Sequence, residues 1–326
     1  SQEGAEGAQV HDQGTETGYP WDCKPVLRSG FEEVIYGVPF QPEDFVQQAL
    51  RAGRPRSFSA PLPEPLQIAV HMNASLTGRE LATRRTTWLT KWAAVAKEMV
   101  PDEAKLKQDM APHVKKLLVN KRLALWKKML EASGYPDVSV VDEVMQGTDL
   151  VGEVELTGLF RPDFKAASIT IEQAQATAAE QRSKVLSMVR AQGEIDSEVH
   201  KLTCDERDAG WLDGPFAADQ LEAHALVSRR FGLRQGDKTR LIDDLSVGGV
   251  NATVQVAESP LRHTTDLLAS LALAILRAMP GMKVVGKTFD LRAAYRQLAV
   301  SQGSLWASYV ARWNPTTKEP EINRML

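Results

Sequence analysis

Apolar residues recur at helical spacing through much of the chain. In residues 77–100, Leu81, Trp88, Leu89, Trp92 and Val95 fall near one stripe, which predicts a helix stopped by Pro101. The pattern returns over residues 112–132 with Val114, Leu117, Leu118, Leu125 and Met129, up to Gly134-Tyr135-Pro136. Residues 170–192 are rich in Ala and Gln and place Ile171, Ala178 and Val185 at intervals of seven, which predicts a long helix packed on a neighbour and ended by Gly193. Further helices are expected over 42–52, 196–209 and 217–228, with the glycines and proline of 210–216 making a tight turn. The period then changes. Phe231 and Leu233 alternate, Gln235-Gly236-Asp237-Lys238 has turn composition, and 239–242 returns, so 229–244 reads as a β-hairpin. Leu267, Leu268, Leu271, Ile275 and Met279 form a broad apolar face on a helix capped by Thr264 or Thr265, expected to cover a sheet. Val284, Val285 and Phe289 predict a strand that ends at Asp290, and 305–326 reads as a second hairpin turning at 314–320.

These elements define an α+β chain in three parts. Residues 1–70 read as a disordered lead-in and a Pro-rich linker, 71–165 as a helical region without a motif, closed by a join over 137–165, and 166–326 as a domain of helices and hairpins. A length of 326 residues with 43% hydrophobic residues allows two domains and a real core. Lys and Arg number 39 against 42 Asp and Glu, so the net charge of -3 gives no global attraction to nucleic acid and any basic footprint is local. Two cysteines, Cys23 and Cys204, suit a reducing compartment; His200 and Cys204 are four apart, but without a second pair they argue against zinc. The longest apolar run, 267–276, is far short of the roughly 20 residues of a membrane span. The opening residues lack the basic start and apolar segment of a secretory signal, which predicts an intracellular protein, cytoplasmic or nuclear. Without an initial Met, the chain is expected to begin inside a longer reading frame.

Three stretches carry candidate chemistry. Asp290, before the helix-favouring Leu-Arg-Ala-Ala, is either a helix cap or a carboxylate delivered by a strand. The hairpin holds five basic residues and one acid between Arg229 and Arg240, suited equally to a polyphosphate and to guarding an exposed sheet edge. The polar face of the 112–132 helix carries Lys115, Lys116, Lys121, Arg122, Lys127 and Lys128, either a solvated surface or a track for phosphates. Trp126 among them is either half-buried core or a platform for a base.

Phe289-Asp-Leu-Arg-Ala-Ala-Tyr-Arg-Gln-Leu298 resembles the first catalytic motif of reverse transcriptases, especially those of retrotransposons. Lys238-Thr-Arg240, with Asp244 and Asn251 after it, is similar to the fingers hairpin of the same family, and 210–232 looks like the lead-in of some retroelement polymerases. The resemblance implies that Asp290 binds two catalytic Mg²⁺ (or Mn²⁺) ions. It further implies that Tyr295 packs under the incoming sugar and senses a 2′-hydroxyl, and that Leu291, Arg292, Ala293 and Ala294 line the dNTP site. Arg240 is expected to stack on the base and reach its phosphates, and Lys238 to grip the γ-phosphate. Ser246 stands where the family often has Arg, and Gly248-Gly249 lengthens the step to Asn251.

The likeness covers residues of about 195–326. A two-metal polymerase needs carboxylates on neighbouring strands holding ions about 4 Å apart, and the family's partner motif, Tyr-x-Asp-Asp, does not occur in the sequence. The expectation is therefore the fingers and partial palm of a retroelement reverse transcriptase, which works on a nucleic-acid template-primer and dNTPs but is inactive as this chain alone. The alternative is a non-catalytic helical nucleic-acid-binding or interaction protein that keeps a polymerase-like scaffold.

Overall fold

Local capping chemistry decides where two of the main helices begin. The computed structural model describes residues 22–28, 31–37, 42–51, 62–154, 156–260, 265–291 and 293–326. Before helix α3 (Gly78–Glu98), Thr77 and Glu80 exchange side-chain and backbone hydrogen bonds, a reciprocal cap of otherwise orphaned N–H groups. Thr170 and Gln173 do the same at α8 (Ile171–Met188). Helix α3 ends at Glu98, just before Pro101, as expected. Pro101 lies in the first turn of α4 (Val100–Leu106), where a missing N–H costs nothing.

The chain divides into two compact units, one formed by residues up to 86 with 262–288, the other by 87–261 with 289–326. In the first unit, β1 (Asp22–Arg28) and β2 (Phe31–Gly37) pair antiparallel. The expected unstructured lead-in thus contains a hairpin, consistent with the strand-forming run Val34-Ile35-Tyr36. Helix α1 (Pro42–Arg51) lies where the sequence places it, whereas α2 (Glu64–Ser75) falls where a linker was expected; most of that Pro-rich stretch is outside the described residues. Helix α10 (Thr265–Ala278) packs on α2.

The second unit holds the main core. Its helical part comprises α4, α5 (Pro112–Leu117), α6 (Leu123–Ser133) and α7 (Val140–Gln146), around Met110, Val114, Leu118, Leu123 and Val141. The single helix expected over 112–132 is broken in two. Lys107 Nζ reaches the Val119 and Lys121 carbonyls (2.9 and 2.5 Å), and the buried Glu103 carboxylate accepts from the Leu123 and Leu125 N–H groups (both 3.0 Å). Both side chains satisfy backbone groups that a continuous helix would have paired within itself. Gly134 closes α6 at φ +69°, a left-handed position that suits glycine.

Two sheets complete this unit. One has the order β3 (Gly152–Glu153), β8 (Val254–Ser259), β4 (Arg161–Lys165). The other has five strands in the order β5 (Leu212–Phe216), β10 (Glu319–Met325), β9 (Tyr309–Asn314), β6 (Val227–Gln235), β7 (Lys238–Asp244), antiparallel except for β6 with β9. Helices α8 and α9 (Ile195–Asp208) pack on it, with Val185, Val189, Ala225, Val227, Tyr309 and Ile322 in its core. The helix expected over 217–228 is absent. After a 3-10 turn at Ala218–Gln220 the backbone extends, Leu226 N–H bonds the Trp306 carbonyl (2.9 Å), and Val227 pairs with Tyr309. Tertiary pairing overrides the helix propensity of the Ala-rich segment. The fold is α+β, as expected, and among the described residues no helix is long and apolar enough to cross a membrane.

The strand expected over 283–289 does not form: residues 282–291 adopt no regular structure and belong to no sheet. Val285 is 76% and Phe289 84% exposed. A strand is stabilised by its ladder and by side chains packed on a neighbour, and this stretch has no ladder.

Candidate functional site

The hairpin β6–β7 closes through a two-residue Gly236-Asp237 loop, with Gly236 at φ +57° as such tight turns require. Lys238 opens the return arm, and Arg240, two residues on, shares its face; both are exposed. Across the hairpin Arg230 is directly opposite Asp243. The Arg230 side chain has no exposed surface, and its guanidinium grips Asp243 at two points (2.6 and 2.9 Å) while its third nitrogen donates to Glu206 of α9 (2.8 Å).

A second arginine closes the ring. Arg296, in the 3-10 turn Ala294–Gln297, donates to Glu206 (2.9 Å) and to Asp243 (2.9 Å). Two cations and two anions thus alternate in a neutral cycle, each carboxylate shared by both guanidiniums. Burial alone would loosen the Arg230 proton, but the charges and hydrogen bonds of Asp243 and Glu206 outweigh it and hold the guanidinium above its usual range. Burial also pushes the Asp243 carboxyl up, yet Arg230 and Arg296 outweigh that and hold it below the ordinary carboxylate range. The ring fixes the turn after Asp290 against the hairpin. The chain enters that turn through Ala293 at φ +49°, a left-handed position uncommon for a residue with a Cβ.

Beside the ring lies a cavity of about 730 Å³, walled by Asp205 and Glu206 of α9, Thr239 and Arg240 of the hairpin, and Ala293 to Tyr295 of the turn. Of the residues expected to meet a nucleotide, Arg240, Ala293, Ala294 and Tyr295 line this space. Tyr295 is 89% exposed, which excludes a core role for its ring. Lys238 sits at the hairpin tip and is not part of the lining, and Leu291 is exposed outside it; Arg292 lies outside the described residues. Asp290 is exposed, leads no strand and does not border the cavity.

Among the described residues no three His, Cys, Asp or Glu side chains group to hold a metal ion, and Glu206 and Asp243 are committed to guanidiniums. Asn251 bonds Ser246 (2.8 Å) within the turn after β7, and Asp244 accepts from the Val247 N–H (3.2 Å). Gly248 is required there, because a Cβ would lie 2.2 Å from Ser228 Oγ. The departures at Ser246 and Gly248 therefore belong to one local turn.

Sequence reasoning did not assign Arg230, Asp243, Glu206 or Arg296 to a site. It also missed a second cluster, in which the buried Arg312 pairs with Glu321 and donates to His200 Nδ1 (2.8 Å). That contact puts the imidazole proton on Nε2, 3.7 Å from Cys204 Sγ. Burial, then the Arg312 charge, lower the His200 pKa.

No family model, no curated protein and no solved structure matches this chain.

Proposed function

We propose that this chain carries the nucleotide-binding fingers and first palm motif of a reverse transcriptase of the retrotransposon kind. The observation that supports this reading is that Arg240 and Tyr295, from separate motifs, line one cavity, with Arg296 of the palm motif tied to the fingers-like hairpin. In this reading Arg240 meets the base and phosphates of a dNTP from the hairpin side. Tyr295 bounds the sugar from the other side, and Lys238 at the tip takes the γ-phosphate. Phosphoryl transfer depends mainly on positioning and on neutralising phosphate charge, and these residues supply both.

Asp290 is the only carboxylate that the motif provides, so template-directed synthesis on a primer is expected from a complete polymerase, with Mg²⁺ or Mn²⁺, and not from these residues alone. A second reading, a non-catalytic scaffold that retains the polymerase-like hairpin, is favoured by the position of Asp290 off any strand and outside the cavity's lining. Titration of a fluorescent dNTP and the matching rNTP into the purified chain separates the two readings. The nucleotide-binding reading expects saturable dNTP binding that Arg240→Ala weakens, and a dNTP preference that Tyr295→Ala erodes while leaving the melting temperature in place. Absence of saturable binding, or the same deoxy-to-ribo ratio in Tyr295→Ala, would leave only the scaffold.

A further inference from the structure

The segment after Asp290 borders a second cavity. Its 293–296 turn walls the larger space, whereas Gln297 and Leu298 form one side of a groove of about 330 Å³ whose other side is Lys121, Arg122 and Trp126. Leu118, Leu123 and Val144 make an apolar floor. Among the described residues no acid lines the groove, and both cations are exposed. Lys121 Nζ bonds the neutral Gln297 amide (2.7 Å) and Arg122 the Ala96 carbonyl (3.1 Å), so neither charge is neutralised by these contacts. Trp126 lies in the first turn of α6, after the N-cap residue Arg122, and is 37% exposed, a large aromatic surface left open beside the two cations and the apolar floor.

The segment that walls the groove is itself basic, with the Glu103 carboxylate beside it at the Leu123 and Leu125 N–H groups. Residues 112–132 contain six Lys and Arg and one acid, Glu131, on a chain whose net charge is -3. Lys127 is neutralised by Asp142 (2.7 Å); Lys115, Lys128 and the two groove cations extend the positive surface. The N–H groups at the start of α6 are taken by Glu103, so a helix terminus is not what an anion would meet here. An aromatic wall and apolar floor accept a planar face, and paired cations without a carboxylate accept a phosphate. We infer that this groove binds one nucleotide unit of a single-stranded nucleic acid, its base against Trp126 and its phosphate at Lys121 and Arg122. A single strand is required because stacking on a side chain needs a base free of its duplex. This inference concerns a different site from the dNTP reading and does not depend on it.

The test is fluorescence anisotropy of a labelled oligothymidylate of about twelve residues with the full 326-residue chain. Trp126→Ala is expected to weaken binding by roughly tenfold or more, with Trp126→Phe between it and the native chain. Lys121→Gln is expected to flatten the slope of log affinity against log salt by about 0.7. Thymidine monophosphate should compete poorly. Should Trp126→Ala fail to fold, Trp126→Phe and Lys121→Gln carry the test. Native affinity and native salt slope in folded Trp126 and Lys121 variants, or no binding by the native chain, would overturn the inference. Competition by the monophosphate on equal terms would overturn the strand assignment. Loss of binding in Arg240→Ala but not in Trp126→Ala would place the strand in the larger cavity, overturning this inference while leaving the dNTP reading standing.

Discussion

The hairpin β6–β7 and the segment 282–291 both read as strands in the sequence, and only one of them became a sheet. The hairpin has a sharp turn, a ladder along both arms, a parallel neighbour in β9 and a buried arginine clamped between facing acids. The segment has β-branched and aromatic residues too, but Gly286 and Lys287 interrupt its alternation, and among the described residues no strand pairs with it. Strand propensity describes a fit to a pleated surface, so without neighbours it specifies nothing. Order returns four residues after Asp290 because Arg296 is anchored to Glu206 and Asp243, not because a strand delivers the turn.

The most damaging way to break this contrast is to remove the centre of the ring. Arg230→Ala leaves the half-buried Asp243 and Glu206 with Arg296 as their one cation, and removing one partner of a buried ion pair typically costs about 3–5 kcal/mol. Urea denaturation should show a loss of that order; a loss under about 1 kcal/mol would mean that the surroundings solvate the acids without Arg230.

Acid titration probes the second cluster. His200 titrates in the fold below its usual pKa of about 6.5, mainly because it is buried and then because Arg312 faces it, with Glu321 acting the other way. Between the folded value and about 6.5 the unfolded chain binds more protons, so this contribution is complete above that window and is lost as pH falls through it. The urea midpoint should therefore drop as pH falls below about 6.5, and His200→Asn, which keeps an acceptor for Arg312, should remove that part of the drop. An unchanged pH profile in the variant would assign the drop to other groups.

The smallest effect belongs to the other side of the comparison. Asp290→Asn should change stability by no more than about 0.5 kcal/mol, because the side chain is exposed and belongs to no helix or strand. A large loss by thermal or urea unfolding would show Asp290 to be structural, as a cap would be, and would remove it as a free carboxylate.

Some of the site was legible in the sequence. The Gly236-Asp237 turn fixes the hairpin register, and counting outward from Gln235 and Lys238 brings Arg230 opposite Asp243, so half of the ion ring follows from arithmetic on the arms. The reciprocal cap at Thr170 and Gln173 and the αL glycine at Gly134 were equally readable, since each depends on residues within one turn of itself.

What the sequence by itself determined is local: helix starts, the tight hairpin, the α+β class, and the pairing of opposite charges across one turn. What only the tertiary structure decided is which distant groups meet. Glu206 and Arg296 joining the hairpin, Glu103 and Lys107 breaking a helix in two, and His200 meeting Arg312 all pair residues whose separation along the chain carries no signal. The Ala-rich stretch before β6 extends, and the Val-rich stretch before Asp290 does not form a strand, for the same reason. Short-range propensities amount to well under 1 kcal/mol per residue for most side chains, whereas a sheet neighbour or a buried ion partner contributes more and is supplied only by the rest of the fold.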